Sequence, residues 1–355
     1  MLQQHQLYMH RCLELARPGA GHVAPNPMVG SVLIYEDRII GEGYHQQYGQ
    51  AHAEVNCINS VKEEDKSFID KSVIYVSLEP CAHFGKTPPC ADLIIKNKIP
   101  TAVVGCRDPF EQVDGKGIEK LENAGIKVII GILENECKEL NKRFFTFHIY
   151  KRPYIILKWA QSKNQKIANA DFSRVLISNA YSNRLVHKWR SEEFAIMVGT
   201  NTALYDNPTL NARHWTGPDP VRLVVDMNLR LPNDLQIFDN KQKTVILNSF
   251  KHEEQENVLY YKLNENVSFV ASLLKDCYEF KIQSILIEGG TKLLQSFIDE
   301  KLWDEARVIE NSQLIIDNGL NAPVLSNHHL TASENISTDV ISYYKNAVKL
   351  FSSSL

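Results

Sequence analysis

The chain has 355 residues, 44% of them hydrophobic and 23% charged, with a formal net charge of -3. This length exceeds one average core and predicts two domains, and the ordinary composition excludes disordered and fibrous classes. Basic and acidic residues are mixed along the whole length, leaving no basic stripe to track a phosphate backbone, so no nucleic-acid partner is expected. No window approaches the roughly 18 apolar residues of a membrane span, and the polar start Met1 to Gln6 has no apolar signal core behind it. No membrane contact is expected, and the cytoplasm is the expected location. The seven cysteines are odd in number and scattered, which suits a reducing compartment rather than a disulfide framework. Cys12, Cys57, Cys106, Cys137 and Cys277 sit among apolar neighbours and read as small buried hydrophobes. Cys81 and Cys90 stand apart.

In chain order, helical spacing over Gln6 to Ala16 gives way to a Gly/Pro loop, Pro18 to Pro27. Two strands, Val29 to Ile34 and Arg38 to Tyr44, are predicted around the polar turn Tyr35-Glu36-Asp37, followed by a helix over Ala51 to Val61. Strands at Val73 to Ser77, Thr101 to Gly105 and Lys127 to Ile132 alternate with helices at Ala91 to Lys98, Gly115 to Ala124 and Asn135 to Phe147. Such alternation predicts an open α/β sheet covered by helices. The basic, aromatic stretch Phe147 to Pro153 closes this unit, and a boundary is expected near residue 150. Beyond it, strands are predicted at Tyr154 to Trp159, Phe194 to Val198, Val221 to Asp226, Thr244 to Leu247, Ser284 to Ile287 and Ala306 to Ile309. Helices are predicted at Ala180 to Arg190, Phe269 to Cys277 and Lys292 to Leu302. The acidic run Lys251 to Glu256 and the Ser-rich tail read as solvated surface.

One constellation carries chemistry. Ala51-His52-Ala53-Glu54 is followed, after one strand, by Glu79-Pro80-Cys81 and then by Pro88-Pro89-Cys90. One histidine and two cysteines leave a fourth tetrahedral position open for water, as at a catalytic zinc. His52 and Glu54 are two residues apart and cannot share a helix face, so they converge only if the metal lies off the first turn. Cys90 is expected to open the helix that follows it, where the dipole favours a thiolate. Zinc lowers the pKa of a bound water from about 15.7 to about 7. Glu54, beside the metal without ligating it, can carry the water's proton to a ring nitrogen and then to departing ammonia. A structural zinc needs a fourth protein ligand, and His83 is the candidate for that reading.

These residues resemble a known family, the bifunctional riboflavin-biosynthesis deaminase-reductases. The resemblance is carried by Pro25-Asn26-Pro27-Met28-Val29-Gly30, by Gly43-Tyr44-His45, and by the run from Glu79 to Cys90 with its eight-residue spacer between the cysteines. Gly105-Cys106-Arg107-Asp108-Pro109 and Val113-Asp114-Gly115-Lys116-Gly117 also match family text, so residues 5 to 150 are covered closely. It implies a cytidine-deaminase-like three-layer α/β domain over residues 1–150 that deaminates 2,5-diamino-6-(5-phosphoribosylamino)pyrimidin-4-one. Asn26 suits a pyrimidine edge, while His45, His83, Lys86 and Thr87 suit the ribose phosphate.

The resemblance continues more loosely over residues 151–355, implying a dihydrofolate-reductase-like α/β domain that reduces the ribosyl to a ribityl chain with NADPH. Its marks are Leu157-Lys158-Trp159-Ala160-Gln161-Ser162, Val198-Gly199-Thr200-Asn201-Thr202, Asp206 to Leu210, Arg213 and Ile287-Glu288-Gly289-Gly290-Thr291. The last follows a strand and opens a helix, where bare amides and the dipole can meet a cofactor phosphate. Implied cofactor contacts are Ala160, Thr202, Asp206 and Gly290, Thr291, Lys292, Leu293, Leu294, Gln295 and Ser296. Implied substrate contacts are Lys158, Arg174, Arg190, Leu210, Arg213 and Glu288. The family also associates through its reductase halves, so a homo-oligomer is expected. The chain departs from the pattern at Asn164-Gln165, where an Asp-Gly pair is usual, at Leu176 in place of tryptophan, and at Arg174 in place of serine. Those departures keep open an alternative, an active deaminase fused to a non-catalytic nucleotide-binding domain.

Overall fold

The computed structural model describes residues 2–85, 88–263 and 268–347. Lys86 and Thr87 lie outside the described residues. The chain divides into two compact units, Met1–Lys151 and Arg152–Leu355.

The first unit runs α1 (Leu2–Ala16), β1 (Gly30–Tyr35), β2 (Arg38–Tyr44), α2 (Ala53–Asn59), β3 (Val73–Leu78), α3 (Cys90–Lys96), β4 (Thr101–Cys106), α4 (Lys116–Asn123), β5 (Lys127–Ile130), α5 (Glu134–Leu140) and α6 (Lys142–Tyr150). Its described strands form one sheet in the order β2-β1-β3-β4-β5. β1 is antiparallel to both its neighbours, whereas β3, β4 and β5 are parallel. Glu36 and Asp37, both at positive φ, close the two-residue turn of the first hairpin. Helices cover both faces, which is why the central strands are almost continuously buried. Leu33, Ile74, Val76 and Ala102 pack with Cys57, Ile58, Ala91, Ile94 and Leu121 on one face. Val32, Tyr75 and Val103 pack with Met9, Cys12, Leu13 and Cys137 on the other. Each large aliphatic side chain buried in this way stabilises the unit by about 1.5–3 kcal/mol. The single helix expected over Asn135 to Phe147 is two. Asn141 breaks it, its side-chain oxygen accepting from Met28 N–H at 2.8 Å and its amide donating to Met28 O at 2.9 Å. A polar side chain that bonds a distant backbone in this way overrides helical periodicity.

The second unit runs β6 (Tyr154–Ser162), β7 (Lys166–Asn169), α7 (Ala180–Glu192), β8 (Ala195–Gly199), α8 (Thr200–Asp206), β9 (Val221–Val225), β10 (Thr244–Asn248), β11 (Glu253–Gln255), β12 (Val258–Lys262), α9 (Phe269–Glu279), β13 (Ser284–Ile287), α10 (Thr291–Asp299), β14 (Glu305–Asn311), β15 (Gly319–Asn321), β16 (His328–Ile336) and β17 (Asp339–Asn346). Among the described residues its main sheet has the order β11-β12-β10-β9-β8-β13-β6-β14-β17-β16, and β7 pairs separately with β15. The run from β12 to β14 is parallel, with antiparallel strands at both edges. α9 and α10 bury Leu273, Leu274, Leu294 and Phe297 against Ile155, Leu157, Met197 and Ile287. α7 buries Val186 and Trp189 against Ile156, Leu286 and Ile309 on the opposite face.

The turn that lacks the family's glycine is closed by Gln165 N–H donating to Ser162 O at 2.9 Å. Gln165 takes the left-handed conformation at φ 59°, at a cost of about 1–2 kcal/mol for a residue with a Cβ. Asn164 offsets this by accepting from Ser162 Oγ at 2.7 Å and from Ile316 N–H at 3.2 Å while donating to Ile316 O at 2.9 Å. The run expected as plain solvated surface contains the short edge strand β11, all of whose residues are exposed.

Candidate active sites

In the first unit three candidate ligands converge from three elements. His52 is the extended N-cap residue of α2, and Glu54 lies in that helix's first turn. Cys90 is the first residue of α3, and Cys81 lies in the loop beyond β3. His52 Nδ1 stands 3.6 Å from Cys81 Sγ and 3.4 Å from Cys90 Sγ, and the three donor atoms lie within 4.8 Å of one another. One imidazole nitrogen and two thiol sulfurs in this spacing fit zinc. His83, the candidate fourth protein ligand, does not join the cluster, so the geometry favours the open catalytic arrangement. The Cys81 thiol is drawn below its ordinary value by hydrogen bonding from Cys90, with His52 adding to this against the cost of burial. Glu54 is 3% exposed. Burial, reinforced by the Cys81 charge and opposed by His52, pushes its carboxyl up to about 7, which suits a proton carrier near neutral pH.

His45 and Asn26 stand together beside this cluster. The Asn26 side-chain amide meets His45 Nε2 at 3.1 Å, His45 Nδ1 meets Ala51 O at 3.0 Å, and the rings of His45 and His52 are 5.2 Å apart. His83 is half-buried, and its Nδ1 has no hydrogen-bond partner among the described residues. The segment Gly105 to Pro109, family text without an assigned role, contributes a buried acid to this unit. Asp108 is buried, and burial first, then Glu79 and Cys81, push its carboxyl up to about 7.

In the second unit the C-terminal ends of neighbouring parallel strands bring the predicted charges together, as the crevice of an open α/β sheet does. β6 and β13 run in register with Leu157 opposite Ile287, so Lys158 and Glu288 are neighbours. Glu288 accepts Arg190 Nε and Nη2 at 2.8 Å each, and Lys158 Nζ lies 3.6 Å away. Burial pushes the Glu288 carboxyl up, but Arg190 and Lys158 outweigh it and hold the group at about 2. Burial lowers the Lys158 ammonium, with Glu288 opposing. Arg213 donates to Thr209 Oγ1 at 2.8 Å and to Asn211 Oδ1 at 3.0 Å. His187, one helical turn before Arg190, is buried beside them. Burial and the charges of Arg190 and Arg213 hold its imidazole at about 4. The i,i+3 spacing from Arg190 was the available signal for it.

Of the implied cofactor residues, Thr202 and Gly290 meet directly, Gly290 N–H donating to Thr202 Oγ1 at 3.0 Å. Gly289 lets this turn close on β8, since a Cβ there would lie 2.8 Å from Val198 Cα. Asp206 ends α8 with its carboxyl raised by burial and opposed by the charge of Arg174. Ala160 is half-buried on β6. The implied run from Gly290 to Ser296 separates along α10. Gly290, Thr291 and Lys292 sit at its opening, whereas the side chains of Leu293 and Leu294 enter the core and the Ser296 hydroxyl donates to Leu293 O at 2.7 Å. Gln295 engages Asp299 and Val324. Leu210 likewise packs in the core with Ile196 and Val224. Leu176, in the tryptophan's place, is 77% exposed.

Residues 2–106 match the cytidine and deoxycytidylate deaminase zinc-binding region, and residues 153–315 match the RibD C-terminal domain. A riboflavin biosynthesis protein RibD from Aquifex aeolicus is 36% identical over 351 residues, covering 95% of this chain and 97% of that one. The chain belongs to the RibD family. A solved deaminase/reductase from Thermotoga maritima superposes with a TM-score of 0.89 at 34% identity, covering 97% of this chain and 99% of its own. RibD from Acinetobacter baumannii gives 0.89 at 30% identity over 97% and 99%. The two units are therefore a cytidine-deaminase-like α/β domain and a dihydrofolate-reductase-like α/β domain. Together they form a deaminase and a reductase of riboflavin biosynthesis, of the type that uses zinc and NADPH. A non-catalytic second domain is not favoured. Among the described residues no helix is long and apolar enough to cross a membrane.

Proposed function

We propose that residues 1–150 deaminate 2,5-diamino-6-(5-phosphoribosylamino)pyrimidin-4-one and that residues 151–355 reduce the product's ribosyl group to ribityl. The observation that carries the first half is the convergence of His52, Cys81 and Cys90 with buried Glu54 beside them. Zinc held by this set supplies the acidity that makes water a nucleophile at neutral pH. Glu54 takes the water's proton, delivers it to the ring nitrogen, and returns a proton to the amino group that leaves as ammonia, the ring carbon gaining a carbonyl oxygen. Asn26 reads the pyrimidine edge, while His45, His83, Lys86 and Thr87 hold the ribose phosphate.

For the second half, Ala160, Thr202, Asp206 and the residues from Gly290 to Ser296 hold NADPH, and Lys158, Arg174, Arg190, Leu210, Arg213 and Glu288 hold the sugar phosphate. NADPH held there would supply the hydride that reduces the opened ribose, with solvent supplying the proton, and the chain's own part would be positioning more than acid or base chemistry. The burial of Leu210, Leu293 and Leu294 leaves their backbone as the part offered to ligands. A two-stage assay tests the whole reading. Zinc-loaded protein is expected to release ammonia from the diaminopyrimidine without NADPH and to oxidise NADPH only once that product has formed. Chelation is expected to stop the first stage alone, and ammonia release that survives complete zinc removal would contradict the reading.

We further infer a homo-oligomer in a reducing cytoplasm. Support comes from β16, exposed along almost its whole length at the outer edge of the sheet, a feature that monomers tend to cover. The seven free thiols support the compartment. Sedimentation at micromolar concentration is expected to give a multiple of the chain mass, and a monomer would contradict this. Fractionation that recovers the chain outside the cytoplasm would overturn the location.

A further inference from the structure

Cys81 differs from the other two ligands in how it is held. His52 and Cys90 sit at helix N-termini, whose geometry fixes them. Cys81 lies in a loop, and the described residues between it and Cys90 belong to neither helix nor strand. On its downstream side Cys81 is tied to α3, since Cys90 N–H donates to its Sγ at 3.3 Å and Ala91 N–H to its carbonyl at 3.1 Å. On its upstream side the tie is Glu79.

Glu79 is 4% exposed at the end of β3, where its N–H continues the sheet to Cys106 O at 3.0 Å. Its carboxylate accepts four backbone N–H groups. Asp108 at 3.2 Å and Gly115 at 3.0 Å bond Oε2, and Gly117 at 2.9 Å and Ile118 at 3.3 Å bond Oε1. A carboxylate has about four lone-pair sites, so this set saturates it. Three of the donors belong to the start of α4, whose N-cap residue Gly115, at φ 84°, offers no side chain. Glu79 thus caps α4 from 36 residues upstream, with a charge the helix dipole favours. The docking is close, because a Cβ on Gly117 would lie 1.9 Å from Pro80 O. α4 therefore holds the Glu79-Pro80 segment immediately before Cys81 from both its side chain and its backbone.

We propose that Glu79 is a positioning residue for the zinc site, clamping the segment that carries Cys81 onto the N-terminus of α4. It touches neither metal nor substrate and acts by removing the loop's freedom, so its loss raises the ordering cost of zinc binding. This rests on the zinc reading above. In Glu79→Gln one carboxylate oxygen becomes an amide donor facing backbone N–H groups that also donate.

The test is zinc affinity of the full chain, measured by competition with a chromophoric chelator. Glu79→Gln is expected to weaken zinc binding about 10–100-fold, as for other residues that orient ligands from behind, and Glu79→Ala at least as much. Saturating zinc is expected to restore the deaminase kcat of Glu79→Gln with KM unchanged, which reports a folded first unit, while NADPH oxidation on the deaminated substrate stays at the wild-type rate and reports a folded second unit. As a control, Asp65→Asn removes a buried carboxylate of the same unit that pairs with Arg38, and it is expected to lower the unfolding temperature without changing zinc affinity. If Glu79→Ala does not fold, Glu79→Gln decides. Zinc affinity within about threefold of wild type in Glu79→Gln overturns the proposal, as does a deaminase defect that saturating zinc leaves in place. Wild-type protein that binds no zinc would instead overturn the functional reading itself.

Discussion

Replacing Glu54 by glutamine is expected to lower deaminase kcat by about 10²–10⁴-fold, the usual worth of a positioned proton carrier, while zinc content stays at the wild-type level. Glu54 is buried beside the three ligands without being one of them. The glutamine is nearly isosteric, so it keeps the packing around α2 and loses only the ability to take and return a proton. Ammonia release, zinc content and NADPH oxidation measured on one preparation separate the possibilities. Loss of ammonia release with the other two intact is the expected pattern. A variant that keeps about a third or more of wild-type ammonia release would remove Glu54 from the chemistry.

Replacing Glu288 by alanine is expected to abolish NADPH oxidation and to destabilise the second unit by about 3–5 kcal/mol, because it leaves Lys158 and Arg190 buried without their common counter-charge. The native carboxyl is held at about 2 against an ordinary 4.5. A depressed carboxyl contributes stability that is present above the ordinary value and is lost as pH falls through the folded one. The wild-type second unit is therefore expected to lose stability between about pH 4.5 and pH 2, and the alanine variant to lack this component. Denaturant unfolding followed across that range, together with ammonia release at neutral pH as a control for the first unit, checks both statements. Unchanged stability and unchanged reduction would show that the cluster is dispensable.

The two sites differ in how far they could be read in one dimension. The candidate zinc ligands occur in short, distinctive runs, and their placement follows from local rules. His52 caps α2, Cys90 opens α3, and both positions are set by the residues beside them. The reductase cluster joins Lys158, Arg190 and Glu288, three residues spread over 131 positions, through the parallel register of β6 and β13 and the packing of α7. Resemblance named these residues, but only the sheet order makes them neighbours.

The sequence by itself determined the strand and helix alternation of the first unit and the strands β6, β8, β9, β10, β13 and β14 of the second, and it marked the candidate zinc donors with Glu54 and the burial of the remaining cysteines. Hydrophobic periodicity and ligand chemistry are local properties, and they survive the loss of the third dimension. Tertiary structure alone decided the rest. Asn141 broke a periodic helix because Met28 lay within its reach. β16 escaped prediction because it is polar and exposed along nearly its whole length, so no buried face marked it. The clamp at Glu79 escaped for a related reason. A buried carboxylate is identified by the backbone amides that surround it, and those amides come from a helix that begins far along the chain.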